Sequence, residues 1–352
     1  MFDVITIGSA VLDAFIETDK ANIVSVSSLD TKKEFMAYPY GAKIEIDNFE
    51  FETGGGGVNT AVNFANLGLK TAAIVKIGDD IQSGKITHVL SKAGVNIDYI
   101  IKSKEYQTGF SIILTSFQGD RTVLAHRGAN AKLALDDINF DAVKKSKWLY
   151  LAPLNGESAK VLDKTAEFAD KNGINLAVNL GTSSIKQGKN NLRFVLKTAS
   201  IVIVNKEEAS MLTEINVRPD TKREKFSEAP IHPDLALMMR EIKSEKNKIT
   251  IITDGKNGAY AYDGKKFYHA CEFPAQPAST LGAGDAFASS FTAALEKTDW
   301  DIEKSLKYAS VNAASVVEHF GALTGLLTFD EIKKRLKEHP EFEVKSFKDK
   351  DI

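Results

Sequence analysis

Two apolar patterns alternate along this chain. Residues 4–7, 72–77, 148–151, 176–180, 201–204 and 249–253 are short, nearly unbroken apolar runs, the pattern of strands buried on both faces. Between them, residues 58–67, 81–93, 158–172, 207–212 and 235–244 repeat apolar side chains at helical spacing, and residues 286–295 do so again near the end. Strands alternating with helices predict an α/β fold with a mainly parallel sheet covered by helices on both faces.

Two regions break the rhythm. Residues 43–47 and 49–51 alternate apolar and polar, as a one-faced strand does. Residues 110–117 and 122–125 form a second such pair around a predicted turn at Gln118-Gly119-Asp120. They predict a small antiparallel β lid inserted into the core. The core is then expected over residues 1–13, 53–105 and 128–335, and the lid over about 14–52 and 106–127. Residues 336–352 read as a charged C-terminal tail that frays or packs as an edge element. Residues 216–233 hold Pro219, Pro230 and Pro233 and read as a surface loop. The glycines Gly54 to Gly57 fall where the lid returns to the core, a suitable place for a hinge.

Composition narrows the class. The 352 residues are 43% hydrophobic and 26% charged with a net charge of -2, which suits a soluble enzyme and favours neither nucleic acid nor membrane as partner. Cys271 is the single cysteine, so no intrachain disulfide can form, as in a cytoplasmic protein. No apolar stretch approaches the roughly 20 residues a membrane helix needs. The six histidines show no metal-ligand spacing.

Candidate chemistry gathers at strand ends and helix starts. Gly282-Ala283-Gly284-Asp285 opens the helix predicted at residues 286–295. A helix N-terminus offers unpaired N–H groups and positive dipole, and glycine lets phosphate come close. Asp285 beside such an anion cradle could take the proton of an attacking hydroxyl; alone, the segment is also an ordinary Gly-rich loop with a first-turn acid. Asp13 follows the first strand and could bind two hydroxyls, or be an exposed loop acid. Gly54-Gly55-Gly56-Gly57-Val58-Asn59 enters a helix with exposed backbone N–H groups and one amide side chain. Asn205 and Glu208 lie one turn apart, a pattern that serves Mg²⁺ or a helix cap. Thr253-Asp254-Gly255-Lys256-Asn257-Gly258 is equally a nucleotide-binding turn or a plain hairpin turn.

In order, these motifs resemble the ribokinase-like, PfkB-type family of carbohydrate and nucleoside kinases. The resemblance runs from Val4 to about Gly325 and adds Asn66-Leu67-Gly68, Ile77-Gly78-Asp79-Asp80, Thr108-Gly109, Asp120-Arg121-Thr122, Arg127-Gly128-Ala129-Asn130, Ala313-Ala314-Ser315 and Gly321-Ala322. It implies a Rossmann-like core with a β lid over the acceptor. It also implies ATP as phosphate donor with Mg²⁺, and a small sugar as acceptor. Asp285 then matches the catalytic base, and Gly282, Ala283 and Gly284 the anion hole. Asp13, Gly55, Gly56, Gly57 and Asn59 match acceptor-binding positions, with Arg127 reaching from the lid side. Asn205, Thr253, Gly255, Gly258 and Asn312 match nucleotide-side positions, and Glu208 the magnesium motif, acting through water.

Departures from the family pattern matter as well. Ser279 stands where many members have the Asp that helps hold K⁺, which argues against K⁺ activation. Gly56 replaces the Lys of many ribokinases, and Ala152-Pro153-Leu154 supplies no acceptor-binding Glu. A nucleoside acceptor is the competing enzymatic reading, with lid aromatics Phe35, Tyr38, Tyr40, Phe49 and Phe51 either stacking on a base or packing the lid on the core. A non-catalytic sugar or nucleotide sensor is the competing reading from another class. By analogy with relatives, a homodimer is expected through the lid.

Overall fold

The computed structural model describes residues 1–28, 32–115, 121–188, 192–218 and 231–352. The turn expected at Gln118-Gly119-Asp120 and most of the loop expected at residues 216–233 lie outside them. With elements numbered along the chain, the main sheet contains β1 (Phe2–Ile7), β6 (Thr71–Ile74), β11 (Ser146–Leu151), β12 (Asn175–Asn179), β13 (Ile201–Asn205), β14 (Ile249–Thr253), β15 (Ala259–Tyr262), β16 (Lys266–Ala270) and β17 (Val344–Lys348). Its order is β6-β1-β11-β12-β13-β14-β15-β16-β17. Neighbours are parallel from β6 to β14 and antiparallel from β14 to β17.

The helices are α1 (Gly56–Asn66), α2 (Ile81–Lys92), α3 (Phe140–Val143), α4 (Val161–Lys171), α5 (Thr182–Lys186), α6 (Arg193–Thr198), α7 (Lys206–Thr213), α8 (Pro233–Ile242), α9 (Ala283–Lys297), α10 (Ile302–Val317) and α11 (Phe329–Glu338). Alternate side chains of each strand enter opposite cores. Ile5, Ile7, Leu149, Leu151 and Val178 pack with Leu162 of α4 and Met238 of α8. Val4, Trp148, Tyr150 and Ala177 pack with Phe64 of α1, Phe291 of α9 and Val311 of α10. Covering both faces explains why these strands read as unbroken apolar runs.

A second sheet, ordered β10-β9-β2-β5, is formed by β2 (Val11–Glu17), β5 (Asn48–Gly54), β9 (Gly109–Thr115) and β10 (Arg121–His126). In its centre β2 pairs parallel with β9 and antiparallel with β5, so Asp13 stands opposite both Ser111 and Glu52. A hairpin of β3 (Asn22–Ser27) and β4 (Lys32–Ala37) extends from this region, and β7 (Lys76–Gly78) pairs with β8 (Ile101–Ser103).

Three expectations are corrected. The apolar run at residues 72–77 is two strands, because the chain leaves the main sheet after Ile74 and pairs with β8 from Lys76. Residues 43–47 form no strand: β2 ends at Glu17, opposite Asn48, and leaves no partner beyond it. The lid sheet begins at Val11 rather than after residue 13, so Asp13 belongs to a lid strand. Of the two readings of the C-terminal segment, the structure has the edge element: β17 pairs with β16 through Phe347 and Phe267 at the end of the main sheet.

Candidate active site

The turn between β1 and β2 meets the four glycines. Gly56 N donates to Ser9 Oγ at 3.1 Å and Gly57 N to the Ser9 carbonyl at 2.9 Å. Val58 N and Asn59 N donate to the Gly55 carbonyl at 3.0 and 2.9 Å. These amides are therefore spent inside the protein, contrary to the expectation that the run exposes them. The glycines provide space instead. A Cβ on Gly54 would sit 2.4 Å from Asp13 Oδ2, and one on Gly56 would sit 2.9 Å from Ala152 Cβ and 3.6 Å from Asp285 Oδ1. Gly55 holds φ at 92° with the Ser9 carbonyl beneath it, a conformation that glycine adopts without strain. Two carboxylates, one from the lid and one from α9, thus converge on the bare face of this run.

Asn59 connects them to chemistry. Its Nδ2 donates to Asp285 Oδ2 at 2.8 Å, while its Oδ1 is buried without a hydrogen-bond partner. Such an orphan costs about 1–3 kcal/mol unless a ligand satisfies it. Asp285 is half-buried, and burial pushes its carboxyl above the usual aspartate range, partly offset by Asn59. Asp13 is raised in the same way against a hydrogen bond from Ser111. A raised but ionisable carboxyl is the group a general base requires near neutral pH.

Gly282, Ala283 and Gly284 begin α9. Gly282 has φ at 79°, and a Cβ there would lie 2.6 Å from Ala322 Cα, so the Gly321-Ala322 motif fixes this glycine. The first-turn amides of Ala283, Gly284 and Asp285 have no carbonyl four residues earlier in the helix to bind, and they lie beside the Asp285 carboxyl, where a helix start favours negative charge.

On the other side of the sheet edge, Asn205 caps α7. Asn205 Oδ1 accepts from Glu208 N at 2.8 Å, and Glu208 Oε2 accepts from Asn205 N at 3.0 Å. Glu208 Oε1 takes Thr182 N at 3.0 Å and Thr182 Oγ1 at 3.3 Å. Both carboxylate oxygens are engaged, which fits a metal held through water and not by direct ligation. Thr253 ends β14, and Gly255 and Gly258 lie in the hairpin turn to β15. Gly258 has φ at 86°, and a Cβ there would strike the Ala270 carbonyl at 2.0 Å. Lys206 pairs with Asp254 at 2.5 Å, tying this turn to α7.

One candidate, Asn312, turns its side chain away from the cleft. Asn312 is buried on α10, where Nδ2 donates to Asn63 Oδ1 at 3.0 Å and Ser290 Oγ at 2.8 Å, and Oδ1 accepts from Leu327 N at 2.9 Å. Its side chain is consumed in joining α1, α9 and α10, leaving nothing for a nucleotide. Arg127 is exposed after β10, next to the turn that begins at Gly128.

Sequence reasoning missed several groups. Ser9 anchors the glycine run, as above. Asn130 grips the crossing from core to lid, with Oδ1 accepting from Ala10 N at 2.8 Å and Nδ2 donating to Ala10 O at 2.7 Å. Asp80 caps α2 and accepts from Thr108 Oγ1 at 2.6 Å, which explains why those two motifs occur together. Tyr150 is fully buried beside the Asp285 charge, and its phenol is pushed well above the usual tyrosine range. Asn130, Asp80 and Thr108 stood in the motif pattern, but Tyr150 looks like any core aromatic.

Fold and site together bring a helix start, a carboxyl with a raised pKa and a second, smaller sheet to one edge of the main sheet. A family model described as "pfkB family carbohydrate kinase" matches residues 20–328. The chain belongs to this family and is a carbohydrate kinase. Among curated relatives, a ribokinase from Bacillus subtilis is 27% identical over 342 residues, covering 96% of this chain and 100% of the relative. A 5-dehydro-2-deoxygluconokinase from Clostridium perfringens is 26% identical over 339 residues, covering 89% of this chain and 96% of the relative. The solved structure of Arabidopsis thaliana ribokinase complexed with ribose and ATP superposes with a TM-score of 0.74 at 22% identity, covering 96% of this chain and 99% of that one.

Proposed function

We propose that this chain transfers the γ-phosphate of ATP to a hydroxyl of a small sugar. The observation that carries the reading is the Asp285 carboxyl, held at 2.8 Å by Asn59 at the N-terminal start of α9. The acceptor lies between Asp13 on the lid and Asn59 on α1, and a hydroxyl satisfies the orphan Asn59 Oδ1. Asp285 removes the proton of the attacking hydroxyl as the oxygen–phosphorus bond forms, and ADP leaves in line. The amides of Ala283, Gly284 and Asp285 receive charge on the transferring group. Mg²⁺, when bound, neutralises phosphate charge, with Glu208 placing its waters. The lid keeps bulk water from the reacting centre. Ser279 carries a hydroxyl where a carboxylate would hold K⁺, so turnover is independent of K⁺.

Two of the five lid aromatics on which the nucleoside reading rests, Phe49 and Phe51, give it no support. Phe49 and Phe51 alternate with Glu52 along β5 and so occupy the lid face opposite to Asp13, where Phe49 is 60% exposed. They neither stack in the cleft nor pack the lid on the core. With Leu124, 55% exposed, they form an outer apolar face suited to a second copy of the chain. ADP release from ATP·Mg²⁺ against a panel of sugars and nucleosides, with and without K⁺, tests the reading. Stimulation by a sugar supports it, stimulation by nucleosides alone replaces the acceptor, and silence despite ATP binding favours a sensor.

A further inference from the structure

The acceptor side of the cleft has one chemical sign. Asp13 and Glu52 stand opposite each other on β2 and β5, on the same face of the lid sheet. That face looks into the cleft, since Asp13 Oδ2 lies over Gly54 and the same glycine run borders Asp285. Glu52 reaches across to the core: its Cγ is 3.5 Å from where a Cβ on Gly321 would be, in the loop that backs Gly282. Burial raises the Glu52 carboxyl, the Lys85 ammonium offsets part of the rise, and repulsion from Glu50 and Asp13 adds to it.

An independent observation concerns hydrogen-bond polarity. Asn59 is 6% exposed, and its Oδ1 is an acceptor with no partner. One of its two Nδ2 hydrogens goes to Asp285 Oδ2, and the Ser111 hydroxyl is turned to Asp13. The amides of Gly56 and Gly57 are occupied by Ser9. Of the side-chain atoms named here, those left to meet an acceptor molecule are mainly oxygens that accept. The ammonium of Lys85 on α2 donates to the Phe51 carbonyl and offsets part of the Glu52 charge. A ligand that fits must bring donors and no negative charge.

We propose that Glu52, together with Asp13, makes this subsite select neutral or amine-bearing polyols and reject acceptors that carry a carboxylate or phosphate. The inference rests on the sugar-kinase reading and narrows it. Two carboxylates against the one Lys85 ammonium, which also donates to the Phe51 carbonyl, leave an excess of negative charge expected to separate such acceptors by about 100-fold or more. Glu52 is a specificity residue here and takes no part in the proton transfer.

The test measures kcat/KM by ADP release for matched acceptors: aldoses, their 2-amino analogues, and the corresponding aldonates and sugar phosphates. Wild type is expected to prefer a neutral or amino sugar over its matched anion by about 100-fold or more. Glu52→Gln, which keeps the volume, is expected to narrow that ratio at least about 10-fold by raising kcat/KM for the anion, and Glu52→Lys to narrow it further. Thermal melts confirm that both variants fold, and the Gln variant suffices if the Lys variant does not. Preference of wild type for an anionic acceptor overturns the inference while leaving the kinase reading intact. So does an equal change for neutral and anionic acceptors in Glu52→Gln, which marks a residue that only holds the lid. Silence of wild type with every acceptor overturns the kinase reading and this inference with it.

Discussion

Replacing Asp285 by Asn separates catalysis from folding at one atom. Asn keeps the shape and still accepts from Asn59 Nδ2, now at its single oxygen, in place of the 2.8 Å bond to Asp285 Oδ2. The amides of the anion cradle belong to the backbone and are untouched. General-base catalysis is worth about 10²–10⁴-fold, so kcat falls by that factor, about 3–5.5 kcal/mol in barrier, while KM for ATP stays within about threefold. Stability moves the other way. Burial raises the folded-state pKa of Asp285 above the ordinary 3.8. The folded protein thus holds this proton more tightly than the unfolded chain. The stabilisation is fully present below the unfolded value and is lost as pH rises through the folded one, so at pH 7 the ionised group is a cost. Asp285→Asn removes that cost, a gain of about 1–2 kcal/mol at most for a group that water still reaches through the cleft, or roughly 1–3 °C in Tm. Melts from pH 7 down to pH 4 should show the gain shrinking, because protonated Asp resembles Asn. Turnover like wild type would falsify the base assignment; a lowered Tm at pH 7 would refute the argument from burial.

Three further outcomes follow from the same geometry. Gly282→Ala forces a Cβ to 2.6 Å from Ala322 Cα at a φ of 79°; kcat should fall at least about 100-fold with about 1–3 kcal/mol lost in urea unfolding, and unchanged kinetics would remove Gly282 from the anion hole. The buried amide pair Asn63 and Asn312, 3.0 Å apart, should show coupling of about 0.5–3 kcal/mol in a double-mutant cycle of the Leu variants, with nucleotide KM in the folded Asn312→Leu variant close to wild type. If the outer lid face joins two copies, Phe51→Glu gives a monomer in analytical ultracentrifugation where wild type sediments as a dimer; identical sedimentation counts against that face.

The main sheet was legible because burial on both faces leaves unbroken apolar runs, and each run from β11 to β14 marks a strand within two residues. Residues 43–47 misled because alternation shows a one-faced conformation without showing whether a partner strand exists, and here β2 has already ended. Asn312 misled for a related reason. Its place on the helix after α9 was legible, but whether the amide turns to the cleft or to Asn63 depends on how α1, α9 and α10 pack. Local spacing contains no record of that packing.

The glycine run shows where chemistry and packing part. In the sequence, four glycines before a helix suggest amides offered to a ligand. In the structure, Ser9 takes two of those amides, and the missing side chains serve Asp13, Ala152 and Asp285, which fill the positions a Cβ would need. The two departures at Gly56 and Ala152-Pro153 meet here: a Cβ on Gly56 would lie 2.9 Å from Ala152 Cβ and 3.2 Å from Pro153 Cδ. A larger residue at position 56 therefore requires a different chain at residues 152–153, and the two positions constrain each other sterically. Among the described residues the glycine run itself brings no cation to this wall, so on the proposed reading the charge facing an acceptor comes from the lid carboxylates and from Asp285. If that reading holds, Asp13 and Glu52 on the lid decide acceptor choice more than the loop whose glycines first drew attention.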